Sequence, residues 1–146
     1  MSSMAPFKSK FDAAVNTVLR FEGGYVWNKN DPGGETNFGI SKRSYPNVDI
    51  KALTREKATE IYRIDYWNPS GAENLDWPLC LIHFDSSVLC GIGAAGQFLK
   101  ESNKSPTSYL LLRIKYHVEK TNRYPALHEF FLGWMNRCVD LFGYCE

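Results

Sequence analysis

Glu22 is the acidic residue whose position most directly suggests chemistry. The apolar positions before it have helical spacing. They are Phe11, Ala14, Val15, Val18 and Leu19, and Glu22 continues the same face. A carboxyl group against apolar surface is disfavoured in its ionised form, so it can retain a proton for donation. We therefore predict that Glu22 is a general acid. The alternative is an ordinary solvated or ion-paired glutamate at a helix end.

The residues after Glu22 have the composition of a turn beside a cleft. Gly23 and Gly24 can end a helix and can let a ligand approach the backbone closely. The stretch Asp31-Pro32-Gly33-Gly34 is typical of a turn between two short apolar runs. It predicts a small β-hairpin or an ordered loop after the first long helix. Such a loop would bring Asp31 and Thr36 back toward Glu22.

Several further motifs accompany this loop. The set comprises Glu22-Gly23-Gly24-Tyr25, Asp31-Pro32-Gly33-Gly34-x-Thr36, Gly39-Ile40, Tyr66-Trp67-Asn68-Pro69, Phe84-Asp85-Ser86-Ser87-Val88 and Gly133-Trp134-Met135-Asn136-Arg137. Together they resemble the glycoside hydrolase family 108 muramidases, which are lysozyme-like enzymes of phage or prophage lysis and of bacterial secretion systems. The resemblance covers nearly the whole chain. It implies cleavage of the bond between N-acetylmuramic acid and N-acetylglucosamine in peptidoglycan.

The resemblance also implies roles for three residues. Glu22 would protonate the leaving oxygen, Asp31 would hold water or stabilise positive charge, and Thr36 would position that water. The set is similar to the Glu/Asp/Thr triad of phage-type lysozymes, although Asp31 and Thr36 are one residue closer than in that pattern. Structural alternatives stay open, because Asp31 could cap a turn and Thr36 could be a strand residue. Glu35 is a competing second carboxylate, which we expect to be solvated.

Four residues are predicted to contact the substrate, namely Tyr25, Trp27, Asn37 and Asp85. The first two flank Glu22 and carry aromatic faces that suit sugars. For Asp85, a structural role bridging helices is the alternative interpretation. Leu89 stands where the family resemblance leads us to expect an asparagine.

The remaining sequence predicts a mainly α, lysozyme-like single domain over residues 1–146. The catalytic half would span approximately 1–95, and the helical half, approximately 96–146, resembles a peptidoglycan-binding region. Helix starts are predicted at Thr54, Pro78, Ser105-Pro106 and Pro125. The last helix carries an apolar stripe that we expect to be buried, and we expect Trp77 and Trp134 to lie in the core. The stripe consists of Leu127, Phe130, Phe131, Trp134, Met135, Cys138, Val139 and Phe142.

Composition limits the classes of partner and cofactor that the protein is expected to bind. The 17 basic and 16 acidic residues give a net charge of +1, which argues against a nucleic-acid partner. The four cysteines and three histidines have no metal-site spacing, so we predict no metal, no cofactor and buried thiols. We expect a monomer that is not an integral membrane protein.

The start of the chain bears on where the protein acts. Met1 to Phe11 includes Lys8 and Lys10 but no apolar signal region, so we expect synthesis in the host cytoplasm. The family resemblance implies that a phage holin would then release the protein to periplasmic peptidoglycan. The alternatives are a muramidase associated with bacterial secretion and a wall-binding or regulatory module without catalysis.

Overall fold

The computed structural model describes residues 7–27 and 33–145. Its helices are α1 (Lys10–Glu22), α2 (Arg55–Tyr62), α3 (Asn68–Ser70), α4 (Leu79–Cys90), α5 (Ile92–Glu101), α6 (Pro106–Arg123) and α7 (His128–Phe142). A π-helical turn over Arg63–Trp67 joins α2 to α3, and 3-10 turns cover Ala72–Asn74 and Pro125–Leu127. The strands are β1 (Val26–Trp27), β2 (Glu35–Asn37) and β3 (Ile40–Ser41). The predicted mainly α, lysozyme-like fold is confirmed.

Helix α1 begins and ends where its sequence dictates. The Ser9 side chain accepts a hydrogen bond from the Asp12 amide at 3.1 Å and caps the first turn. Seven residues of the helix are buried, including Val15 and Val18. Gly23 ends the helix with a φ of +73°, which a residue with a side chain rarely adopts. Glu22 therefore lies in the last turn, on the face that meets the core.

The segment after α1 forms a three-stranded antiparallel sheet in the order β1-β2-β3. Thr36 lies opposite Val26 on one side and Ser41 on the other. Asn37 is buried, and its amide donates to the carbonyl oxygens of Ile50 and Leu53 at 3.0 and 3.4 Å. These bonds fix the end of β2 against the core.

Helix α4 is the central element of the core. All nine residues from Leu79 to Ser87 are buried. The Phe84 ring makes edge contacts with Phe11, Tyr62 and Trp67 at centroid distances of 6.0, 6.2 and 5.3 Å. Because α4 is enclosed on every side over this stretch, polar groups on it must find partners within the protein.

Helix α7 departs from its predicted burial. It packs mainly on α6, and only Arg137, Cys138 and Leu141 along it are buried. The fully buried apolar stripe was wrong, because Phe130 and Val139 are 48% and 66% exposed. Apolar spacing identifies one side of a helix, but whether a neighbouring element covers that side depends on the rest of the fold. Within the described ranges, no helix is both long and apolar enough to cross a membrane.

Candidate active site

Glu22 lies where two cavities meet. On one side is a cavity of 180 Å³, the sheet-side cavity, which Gly39, Ser41 and Tyr62 help to line. On the other is a cavity of 420 Å³, the α7-side cavity, bounded by the exposed side of α7. Glu22 and Leu89 line both. The Glu22 side chain is 20% exposed and borders both cavities, which together we call the Glu22 groove.

Arg137 on α7 holds the Glu22 carboxylate. Its Nη1 donates to Oε1 of Glu22 at 2.6 Å, and the guanidinium lies 4.8 Å from the centroid of the Phe21 ring. Charge-assisted bonds of this length fix the orientation of a carboxyl group strongly. The surroundings of Glu22 therefore include a cation, beyond the apolar face that the helix pattern predicts.

Asp85 on α4 holds Arg137 in turn. Arg137 donates to Asp85 through Nε at 2.9 Å and through Nη2 at 2.7 Å, while Arg113 Nη1 donates to Asp85 Oδ2 at 2.7 Å. Burial alone would raise the pKa of Asp85, but the two arginines outweigh burial and keep that pKa below its ordinary value. The chain Glu22–Arg137–Asp85–Arg113 thus alternates charges, and its inner members have side chains that are 9% exposed or less.

Gly39 and Tyr62 pack against the other side of Glu22. A Cβ atom at residue 39 would lie 2.6 Å from the Tyr62 hydroxyl and 2.8 Å from Glu22 Oε2, and only a glycine fits there. The backbone φ of +78° at Gly39 has the same requirement. The Tyr62 hydroxyl donates to the Phe38 carbonyl at 2.7 Å. Burial raises the pKa of Tyr62, and the nearby Glu22 carboxylate raises it further, so this hydroxyl keeps its proton.

The other residues considered for catalysis, Asp31, Thr36 and Glu35, differ in where they lie relative to Glu22. Asp31 lies outside the described residues. Thr36 is half-buried on β2, on the same sheet face as its neighbour Ser41, which lines the sheet-side cavity. Glu35 accepts a hydrogen bond from the Tyr25 hydroxyl at 2.7 Å, away from Glu22.

The predicted substrate contacts fall into two groups. Tyr25 and Trp27 are 40% and 68% exposed and line a separate cavity with Lys42. Asn37 and Asp85 are buried, with their polar groups engaged by backbone carbonyls and by arginines respectively. In this structure the Asn37 amide positions a strand and Asp85 positions Arg137; contact of either side chain with a sugar stays a prediction.

Sequence reasoning missed the residues that fix Glu22 in place. In the sequence, Arg137 is one position of the motif Gly133–Arg137, and Gly39 is one position of the dipeptide Gly39-Ile40. The available signals were a lone arginine within an apolar helix and a glycine beside a strand. Neither signal names its partner, because Arg137 is 115 residues from Glu22 in the chain.

Comparisons with known proteins agree with this architecture. The family model described as glycosyl hydrolase 108 matches residues 10–91, which include Glu22 and the whole of α4. The chain belongs to glycosyl hydrolase family 108. A solved structure of SagA from Brucella abortus is similar in fold, with a TM-score of 0.76 and 23% sequence identity. The match covers 93% of this chain and 95% of SagA. No curated protein matches the sequence.

Family membership gives the coarse function. The protein is a glycoside hydrolase, and peptidoglycan is its substrate class. Among the described residues, no group of three or more histidine, cysteine or acidic side chains could hold a metal ion. All four cysteines are free; Cys80 and Cys138 are buried, and Cys90 and Cys145 are partly buried.

Proposed function

We propose that this family 108 protein is an N-acetylmuramidase in which Glu22 is the general acid. The observation that carries the proposal is the position of Glu22 at the junction of two cavities, held by Arg137 at 2.6 Å. A glycosidase must accommodate sugars on both sides of the bond that it cleaves, with the acid at the junction. The position of Glu22 between the two cavities supports this role.

The two carboxylate oxygens of Glu22 have different neighbours among the described residues, and this difference suggests how Glu22 acts. Oε1 is bound to Arg137, whereas Oε2 lies beside Gly39 and Tyr62 at the edge of the sheet-side cavity. Oε2 is the oxygen that would pass a proton to the oxygen between N-acetylmuramic acid and N-acetylglucosamine as that bond breaks. Asp31 would stabilise the developing positive charge or hold the attacking water, and Thr36 would orient that water.

The proposal is tested by digesting purified peptidoglycan sacculi and determining the masses of the products. The wild type should leave reducing ends of N-acetylmuramic acid. A 1,6-anhydro end would indicate a lytic transglycosylase, and a glucosamine end a different glycosidase. Glu22→Gln should lose about 10²–10⁴-fold in rate, because this is the contribution of general acid catalysis.

Glu35→Gln is the matched control, because it removes the competing carboxylate on the neighbouring strand. It should retain most of the activity. If Glu35→Gln abolishes cleavage and Glu22→Gln does not, the acid is Glu35.

A non-catalytic wall-binding module is the second candidate. The observation in its favour is Leu89, an apolar side chain that lines both cavities beside Glu22. This alternative predicts that wild type and Glu22→Gln bind sacculi equally and release no soluble products. Release by the wild type alone eliminates it.

We also propose an endolysin role, in which the protein is made in the host cytoplasm and reaches the wall through a holin pore. The test is expression in a Gram-negative host with and without a membrane-permeabilising protein. Lysis should occur only with permeabilisation. Lysis without it would indicate another export route, such as one associated with secretion.

A further inference from the structure

One side of α7 faces the Glu22 groove, and most residues on that side are exposed or partly exposed. Phe130, Gly133, Arg137 and Asp140 follow one another at spacings of three or four residues, so they share this side. All four line the α7-side cavity together with Glu22. Ligand cavities have volumes of about 300–1,000 Å³, and the 420 Å³ of this cavity lies in that range.

A stack of three rings fixes the aromatic part of this surface. The buried His117 ring lies 4.9 Å from Trp134 at an interplanar angle of 21°, and Trp134 lies 6.1 Å from Phe130 at 29°. Burial lowers the pKa of His117, and the positive charge of Arg113 lowers it further, to about 3. The His117 ring at the inner end of the stack is therefore neutral. The outer end, Phe130, is 48% exposed. The stack therefore presents a pre-oriented aromatic ring at the groove.

Gly133 leaves space next to that ring. A Cβ atom at residue 133 would meet no other atom within 4 Å, so packing does not require a glycine here. Glycine inside a helix is less stable than alanine by about 1 kcal/mol. A side chain at this position would project into the α7-side cavity, and its absence widens the cavity beside Phe130 and Trp134.

We propose that Phe130, Gly133 and Trp134 form a sugar subsite that takes one amino-sugar ring of the glycan strand adjacent to the bond at Glu22. An exposed aromatic ring provides apolar contact for one face of a pyranose ring. Asn136 and Asp140 line the same cavity and supply polar groups for its hydroxyls and N-acetyl group. This inference rests on the proposed function and deepens it. The whole subsite lies beyond residues 10–91, the part that the family model matches.

Binding is measured in a Glu22→Gln parent, which prevents turnover of the ligand. The probe is a peptide-free tetrasaccharide of alternating N-acetylglucosamine and N-acetylmuramic acid, titrated by calorimetry. Adding Gly133→Leu should raise the Kd at least tenfold, because the side chain occupies the position of the sugar. The melting temperature should not fall, since leucine favours a helix and meets open space.

Gly96→Leu in the same parent is the matched control. Gly96 is also an exposed helical glycine with nothing within 4 Å, but it lies on α5 and lines none of the cavities described above. This variant should keep the Kd of the parent. A second pair tests the ring: Phe130→Ala should raise the Kd several-fold and Phe130→Trp should restore it. Leu132→Ala, which truncates a 71% exposed neighbour, should have no effect.

The outcomes separate this inference from the proposed function. If Gly133→Leu binds the tetrasaccharide as well as its parent, or if the parent does not bind it, the subsite is overturned even when the wild type cleaves sacculi. If Glu22 is not the acid, the tetrasaccharide still binds and Gly133→Leu still weakens binding. If the wild type sediments as a dimer and Phe130→Ala as a monomer, the surface is a contact between copies and the subsite is wrong.

Discussion

The two sides of the groove around Glu22 are built differently. On the sheet side, Gly39 and Tyr62 pack so closely against the carboxyl group that a Cβ atom at residue 39 has no room. On the α7 side, a Cβ atom at Gly133 would meet nothing, and the cavity has more than twice the volume. The sheet side therefore restricts the acid, whereas the α7 side leaves room for a ligand.

The two sides of the groove also come from different parts of the sequence. Gly39 and Tyr62 belong to residues 10–91, which the family model matches, while Phe130 and Gly133 lie beyond those residues. Arg137 connects the sides, because it extends from α7 to Glu22 and to Asp85 on α4. Residues 10–91 can thus supply the acid, but they cannot hold that acid in place without α7.

The largest expected effect comes from removing this connection. Arg137→Met leaves Asp85 with Arg113 as its single cationic partner and leaves Glu22 without its ion pair. Breaking a buried ion pair costs about 3–5 kcal/mol, so we expect a loss of that size in the free energy of unfolding, measured by urea denaturation. Activity should fall with it.

Two variants control this measurement. Arg123→Met removes an exposed arginine at the end of α6 and should change stability by no more than about 0.5 kcal/mol. Arg137→Lys keeps the charge but loses the planar fork that bonds to both carboxylates. It should recover stability only in part. Full stability and activity in Arg137→Lys would show that charge alone, without geometry, holds the acid.

The next effect concerns the close packing on the sheet side. Gly39→Ala forces a side chain into the Glu22 and Tyr62 contacts and strains a residue with a φ of +78°. The strain should cost about 1–3 kcal/mol of stability. Because Glu22 must move, kcat on sacculi should also fall at least tenfold.

Gly71→Ala separates the two causes. Gly71 has a φ of +74°, but a Cβ atom there would meet nothing within 4 Å. It should lose stability like Gly39→Ala and keep its kcat. If both variants lose activity equally, the contact with Glu22 does not matter and only backbone strain does.

Sequence reasoning reached the features that depend on neighbouring residues. Short-range rules predict the helix that ends at Glu22 and the helix caps at Thr54 and Ser105. The structure has both caps: the Thr54 hydroxyl accepts a hydrogen bond from the Lys57 amide, and the Ser105 hydroxyl accepts one from the Ser108 amide. Arg137 and the exposure of Phe130 do not. The salt bridge between Arg137 and Glu22 joins residues 115 apart in the chain, and the exposure of Phe130 depends on which elements pack against α7. Both are set by how α7 packs in the fold, which no local sequence pattern specifies.

A smaller effect should come from Thr36, which lies opposite Ser41, a residue that lines the sheet-side cavity. Thr36→Val keeps the shape and removes one hydrogen-bonding group. If that group positions water, kcat should fall roughly three- to tenfold, the equivalent of a hydrogen bond worth about 0.5–1.5 kcal/mol. Thr59→Val on α2 is the matched control and should not change kcat. An unchanged kcat in Thr36→Val would leave Thr36 as a strand residue only.

The smallest effect is a dependence of stability on pH, caused by His117 at the inner end of the ring stack. Folding lowers the pKa of His117 to about 3 from the ordinary histidine value of about 6.5. Between these values the unfolded chain therefore binds a proton and the folded protein does not. Stability is therefore complete above pH 6.5 and falls toward pH 3. Between pH 7 and pH 6 we expect a loss on the order of 0.7 kcal/mol, measured by urea unfolding.

His117→Gln sharpens this test, because its amide can still accept a bond from Arg113 but does not titrate. The pH slope should become shallower, although His83, whose pKa burial also lowers, keeps its own contribution. At pH 7 the variant should bind glycan more weakly than wild type, since Trp134 and Phe130 lose their inner support. A pH slope equal to that of the wild type would mean that His117 does not set it. Unchanged glycan affinity would mean that the α7 side owes its geometry to the helix alone.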